Sequence, residues 1–120
     1  MTILLIEDME EMREMLVQIL EDQGHEVFAL TEYGPNIKGE IDCLLNEKID
    51  LVICDYNFSD YCTFEHVESI VAPKNLPIIL QTSESRSLYK YQVYKGSLMT
   101  DLEPMMIRAI EATTPRYLCE

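Results

Sequence analysis

Two short apolar runs, Ile3-Leu4-Leu5-Ile6 and Leu51-Val52-Ile53-Cys54, are continuous rather than alternating, and each ends on carboxylates: Glu7-Asp8 after the first, Asp55 after the second. A segment apolar at every position suits a strand buried on both faces, the condition of inner strands in a parallel sheet. In an open α/β sheet, ligands bind outside the carboxyl ends of the strands. Carboxylates gathered there repel one another unless a cation joins them. The two runs therefore predict an acidic, cation-binding pocket at one edge of a parallel sheet.

The rest of the chain keeps the same rhythm. Further strands are predicted at Glu26–Leu30, Leu76–Gln81 and near Tyr91–Tyr94, with the two runs widened to Thr2–Ile6 and Asp50–Asp55. Between them, apolar residues recur at helical spacing: Met12, Met15, Leu16, Ile19 and Leu20; Ile37, Ile41, Leu44 and Leu45; Phe64, Val67, Ile70 and Val71; Leu102, Met106, Ala109 and Ile110. Gly24 suits a helix end, Gly34-Pro35 marks a turn, and Pro73 and Pro115 stop helices. Thr100 or Asp101 can cap the last helix, and Pro77 is tolerable near a strand start. Strands alternating with helices predict an α/β, flavodoxin-like, doubly wound parallel sheet of five strands in the order 2-1-3-4-5.

One segment breaks the rhythm. Only twelve residues separate Thr82 from Lys95. A crossover with a full helix and its next strand needs more, so the fourth helix is predicted to be shortened or missing. Tyr89, Tyr91 and Tyr94 cluster there. An aromatic patch where a helix should cover the sheet suits a second copy of the chain, making a homodimer through the Tyr89–Tyr94 region, or an effector protein. The competing reading is that the rings fill the space a helix leaves.

Length and charge narrow the function. The 120 residues suit a single domain spanning 1–120, with no room for an output domain. A net charge of −13 repels phosphate backbones and argues against nucleic acid as a partner. Cys43, Cys54, Cys62 and Cys119 have no zinc spacing, and Cys54 reads as a small core residue. No apolar stretch of spanning length or signal segment is evident, so no membrane is expected and the location is expected to be cytoplasmic. His25 and His66 read as ordinary surface or boundary residues, the Met12/Met15 and Met105/Met106 pairs as core, and Glu10-Glu11 as a solvated first turn.

Glu7 and Asp8, Asp55, Thr82 and Lys95 fall at the ends of predicted strands one, three, four and five, so one edge gathers them all. Hard Mg²⁺ takes oxygen ligands, which Asp8, Asp55 and the Asn57 carbonyl can supply. With the charge neutralised, a carboxylate can attack a phosphoryl donor, a lysine can pair with the new phosphate, and a threonine hydroxyl can donate to it.

This set resembles the receiver domain of two-component response regulators. The carrying motifs are ILLIED at 3–8, DLVICDYN at 50–57, PIILQTS at 77–83 and Lys95, in that order over nearly the whole chain. The resemblance implies that Asp55 is the phosphoacceptor and that Glu7, Asp8, Asp55 and the Asn57 carbonyl hold Mg²⁺. It implies that Thr82 is the switch hydroxyl, Lys95 the phosphate-pairing lysine, and Ser83 the small residue admitting the donor. It implies that Asn57 and Glu84 tune dephosphorylation. The implied partners are a histidine kinase or histidine phosphotransfer protein and an unknown downstream protein. The implied chemistry is the chain's own phosphorylation and dephosphorylation rather than turnover of a separate substrate.

The chain departs from the family at four points. Gly96 follows the lysine where the family has proline, Gln92 stands where it has an aromatic switch, Thr63 replaces a common turn glycine, and the fourth-helix region is short. Gly96, Gln92 and the short fourth-helix region favour a competing reading, a receiver-like adaptor or dimerisation module that works without phosphate. A Mg²⁺-dependent phosphohydrolase is the third reading. Asn57 stands where such enzymes carry a second acid–base carboxylate.

Overall fold

The structure, a computed structural model, describes residues 1–83 and 90–113. Five parallel strands form one sheet: β1 (Thr2–Ile6), β2 (Glu26–Ala29), β3 (Leu51–Asp55), β4 (Ile78–Thr82) and β5 (Gln92–Tyr94), in the order β2-β1-β3-β4-β5. Among the described residues, four α-helices connect or follow them: α1 (Glu10–Asp22), α2 (Ile37–Leu45), α3 (Phe64–Val71) and α4 (Leu98–Thr113). This is the flavodoxin-like arrangement that the apolar pattern predicts.

Strand alternation sorts the core into two layers. Leu4, Ile6, Val52, Cys54 and Leu80 pack against α2 and α3 through Ile37, Ile41, Phe64 and Val67. Ile3, Leu5, Ile53, Ile79 and Val93 pack on the other face against α1 and α4, through Leu16, Leu20, Leu102 and Met106. The inner strands are buried on both faces, which is why their sequences are apolar at every position.

Local chemistry sets the element ends. Asp50 is not a strand residue but a clamp: its carboxylate accepts the Thr2 N–H at 2.8 Å, while its own N–H bonds the Thr2 carbonyl at 2.8 Å. Pro77 has no N–H, so β4 starts one residue later, although the Pro77 carbonyl still accepts from Val52 at 3.0 Å. Gly24 ends α1 in the left-handed region at φ 88°. The Thr63 side chain caps α3 by accepting the His66 N–H at 3.2 Å.

Three sequence expectations are corrected. Met15 is 41% exposed rather than core, because the buried stripe of α1 runs through Leu16 and Leu20 and is flanked by Met12 and Val17. Thr100 and Asp101 lie inside α4 and do not cap it, because a 3-10 turn at Lys95–Ser97 leads directly into a helix starting at the buried Leu98. Strand two ends at Ala29 and strand four runs Ile78–Thr82 rather than Leu76–Gln81. His25 and His66 are both half-buried; the His25 ring lies 3.1 Å from the N-terminal amine, at the sheet end opposite the acidic residues.

Only residues 83–91 join β4 to β5, and no helix occurs among the described residues there. Tyr89, Glu84, Pro115 and Cys119 lie outside the described residues. Tyr91 is half-buried against the α1/α4 core layer, whereas Tyr94 is 55% exposed.

Central burial predicts a large loss on truncation. Ile53→Ala, in the middle of the sheet, is expected to lower unfolding free energy by about 2–5 kcal/mol in a denaturant titration. A loss within about 0.5 kcal/mol would contradict a fully packed site.

Candidate functional site

Sheet register builds the site. Leu5 lies beside Ile53, so continuing β1 by two residues brings Glu7 beside Asp55. Asp55 is paired with Gln81, and Gln81 with Val93. Partners across parallel strands share a face, so Glu7, Asp55, Gln81 and Val93 form a row on the α1/α4 side. Lys95 follows Val93 by two residues and reaches back over that row.

The Lys95 Nζ lies 3.2 Å from Glu7 Oε1 and 3.0 Å from Asp55 Oδ2. The other Asp55 oxygen, Oδ1, accepts the Tyr56 N–H at 2.8 Å. Glu7 is 0% exposed and Asp55 6%, while Asp8 is open to solvent. Burial, then the hydrogen bond and charge of Asp55, push the Glu7 pKa up to about 8 against the pull of Lys95. Burial alone would lower the Lys95 pKa, but its bonds and attraction to Asp55 and Glu7 outweigh it and leave the pKa raised.

A cavity of about 260 Å³ opens over the row, lined by Asp8, Asp55, Asn57, Thr82, Ser83 and Lys95. Of the predicted site residues that are described, all line this cavity except Glu7, which is buried and contacts Lys95. Thr82 is the buried last residue of β4. Asn57 is exposed.

Oxygens of Glu7, Asp8 and Asp55 lie within 4.8 Å of one another. Glu7 Oε2 is buried with no hydrogen-bond partner among the described residues, an orphan that a cation ligand explains. An anionic, all-oxygen set fits a hard cation such as Mg²⁺, and the residues present fit that ion.

Sequence reading missed the groups that hold this cluster. The Tyr33 hydroxyl accepts the Glu7 N–H at 2.7 Å, and the Tyr33 carbonyl accepts from Ser59 Oγ at 3.0 Å, tying the loops after β1, β2 and β3 together. Arg13 donates from Nη1 to the carbonyls of Glu7 at 3.1 Å and Asp8 at 3.4 Å. Neither partner is readable from spacing, because each bond crosses between loops or reaches back from a helix. Burial pushes the Cys54 thiol well up, so this neighbour of Asp55 is an inert core residue, as its apolar context predicts.

The family model of the response regulator receiver domain matches residues 3–103. The chain belongs to the response regulator receiver family. Solved structures agree in fold. The response regulator TrrA from Thermotoga maritima, in complex with Mg²⁺ and BeF, is 23% identical with a TM-score of 0.74, covering 90% of this chain and 97% of its own. A response regulator receiver domain protein from Clostridium thermocellum is 18% identical at a TM-score of 0.73, covering 99% and 98%. The signal receiver domain of a modulated diguanylate cyclase from Desulfovibrio desulfuricans is 19% identical at 0.71, covering 93% and 94%. No curated protein matches in sequence. Receivers serve two-component signalling, engage kinases and downstream effectors, and typically bind magnesium and are phosphorylated. No helix among the described residues is long and apolar enough to cross a membrane.

The departures from the receiver pattern acquire physical reasons. A Cβ at Gly96 would run into the Tyr94 ring, so glycine lets that ring lie along the backbone. The β4–β5 register sets Tyr94, not Gln92, beside Thr82.

The raised Glu7 pKa makes metal-free stability depend on pH. Folding holds a proton on Glu7 that the unfolded chain gives up near 4.5, so this contribution is complete below about 4.5 and lost as pH rises to about 8. Glu7→Gln is expected to flatten the decline of the metal-free melting temperature across that window relative to wild type. Parallel declines in both proteins would contradict the assignment.

Proposed function

We propose that this receiver accepts a phosphoryl group on Asp55 in a Mg²⁺-dependent reaction and signals through protein contacts that differ between the two states. The observation that carries the reading is Lys95 Nζ at 3.0 Å from Asp55 Oδ2, at the floor of a cavity also lined by Asp8, Thr82 and Ser83.

In this reading an Asp55 carboxylate oxygen forms a bond to phosphorus as the donor's P–N bond to histidine breaks. The imidazole nitrogen leaves with the electron pair, and the phosphoryl charge passes to Asp55. Glu7, Asp8, Asp55 and the Asn57 carbonyl would hold Mg²⁺, which would supply positive charge among the carboxylates. Lys95 pairs with the phosphoryl oxygens as its ammonium is released from carboxylate contacts. Thr82 donates its hydroxyl to them, and Ser83 leaves room for the donor at the cavity mouth. Asn57 and Glu84 set the lifetime of the acyl phosphate. The phosphoryl donor is a histidine kinase or histidine phosphotransfer protein. The exposed Tyr94, beside Thr82 in register, offers an output surface to a downstream protein or a second copy of the chain.

The short connection over residues 83–91 favours a second reading, an adaptor that works without phosphate. Beryllofluoride with Mg²⁺ separates the two. The phosphorylation reading expects saturable amide shifts around residue 55 in wild type, lost in Asp55→Asn and weakened at least tenfold in Lys95→Ala. Absence of an Asp55-dependent response would leave the adaptor.

A further inference from the structure

Gln81 is the one residue of the site row with no visible task. It is 0% exposed, and neither Nε2 nor Oε1 has a hydrogen-bond partner among the described residues. Buried side-chain amides in folded proteins are bonded, so an orphan of this kind calls for a partner present in another state. Its neighbours on the same face of β4 and β5, Ile79 and Val93, are apolar, and an apolar side chain would serve packing there as well.

Its position names the partner. Gln81 is register-paired with Asp55 on one side and Val93 on the other, and Lys95 lies two residues beyond Val93. The Lys95 ammonium has three donors, two of which go to Glu7 Oε1 and Asp55 Oδ2. Those residues also belong to the oxygen set that fits a cation. A divalent cation entering the set competes for these oxygens and repels the ammonium. A half-buried ammonium deprived of acceptors is costly, and Gln81 Oε1 is a buried acceptor in the same row with no partner among the described residues.

We propose that Gln81 is a positioning residue that receives the Lys95 ammonium when a divalent cation takes the carboxylates. Lys95 is thereby held beside Asp55 instead of swinging into solvent. This rests on the Mg²⁺ site of the proposed function but not on phosphorylation.

Mg²⁺ titrations followed by amide chemical shifts test it on four proteins: wild type, Gln81→Leu, Lys95→Met and the double variant. Gln81→Leu is expected to weaken Mg²⁺ binding about tenfold or more while the metal-free protein melts no lower than wild type. In the Lys95→Met background the same change is expected to alter Mg²⁺ affinity less than twofold, since no ammonium needs a new acceptor. Without any change at residue 81, the side-chain carbonyl carbon signal of Gln81 is expected to shift on Mg²⁺ addition in wild type and to stay in place in Lys95→Met. Wild-type affinity in Gln81→Leu, equal losses in both backgrounds, or equal shifts of the Gln81 signal with and without Lys95 would each overturn the proposal. A wild type that binds Mg²⁺ but forms no Asp55 adduct would sink the phosphorylation reading and leave this one standing. A wild type that binds no Mg²⁺ would overturn both.

Discussion

The ammonium of Lys95, drawn between Glu7 and Asp55, is the interaction on which the site depends. It joins residues separated by 88 and 40 positions in sequence, and so reads out the whole sheet from β1 through β3 to β5. Without it, two carboxylates would face each other almost out of contact with water. A buried ion pair of this kind is weak evidence for stability, because desolvation offsets much of the attraction. In the proposed function its meaning is that one cation holds the place that another, with a phosphoryl group, would take over.

The sheet sets the geometry of this site. Parallel register aligns Glu7, Asp55, Gln81 and Val93 on one face, and Glu7 and Asp55 meet Lys95 at the carboxyl edge. The loops above are braced rather than free. Tyr33 and Arg13 hold the Glu7-Asp8 backbone, and Ser59 links the loop after β3 to the loop after β2. Pre-set ligands lower the ordering needed for a cation to bind, the general advantage of a preorganised site. The β4–β5 side is built differently, with a nine-residue connection over 83–91, a three-residue β5 and an exposed Tyr94 over Gly96.

Much of this was legible in the sequence because burial on both faces leaves a plain signature. ILLI and LVIC suit inner strands, and carboxylates directly after them then fall at one edge. The positions of Thr82 and Lys95 followed from counting. What stayed hidden depends on register and on angle. The buried stripe of α1 is narrower than the apolar spacing suggests and leaves Met15 exposed. Thr100 and Asp101 are of residue types that can cap a helix, whereas the helix starts earlier, at Leu98, which finds apolar cover. Tyr33 and Arg13 act through backbone groups of other loops, which spacing does not encode. Gln81 was visible as a polar residue within an apolar run, but only the Asp55–Gln81 pairing gives it a neighbour and a question to answer.

The central claim is that Asp55 is the group that takes the phosphoryl. The direct measurement is incubation of the intact protein with a small phosphoryl donor and Mg²⁺, followed by borohydride reduction and peptide mass mapping. The account predicts a single Mg²⁺-dependent acyl phosphate, which reduction converts at residue 55 alone into homoserine. Reduction at another carboxylate, or an unmodified chain under conditions where Mg²⁺ is bound, would contradict it.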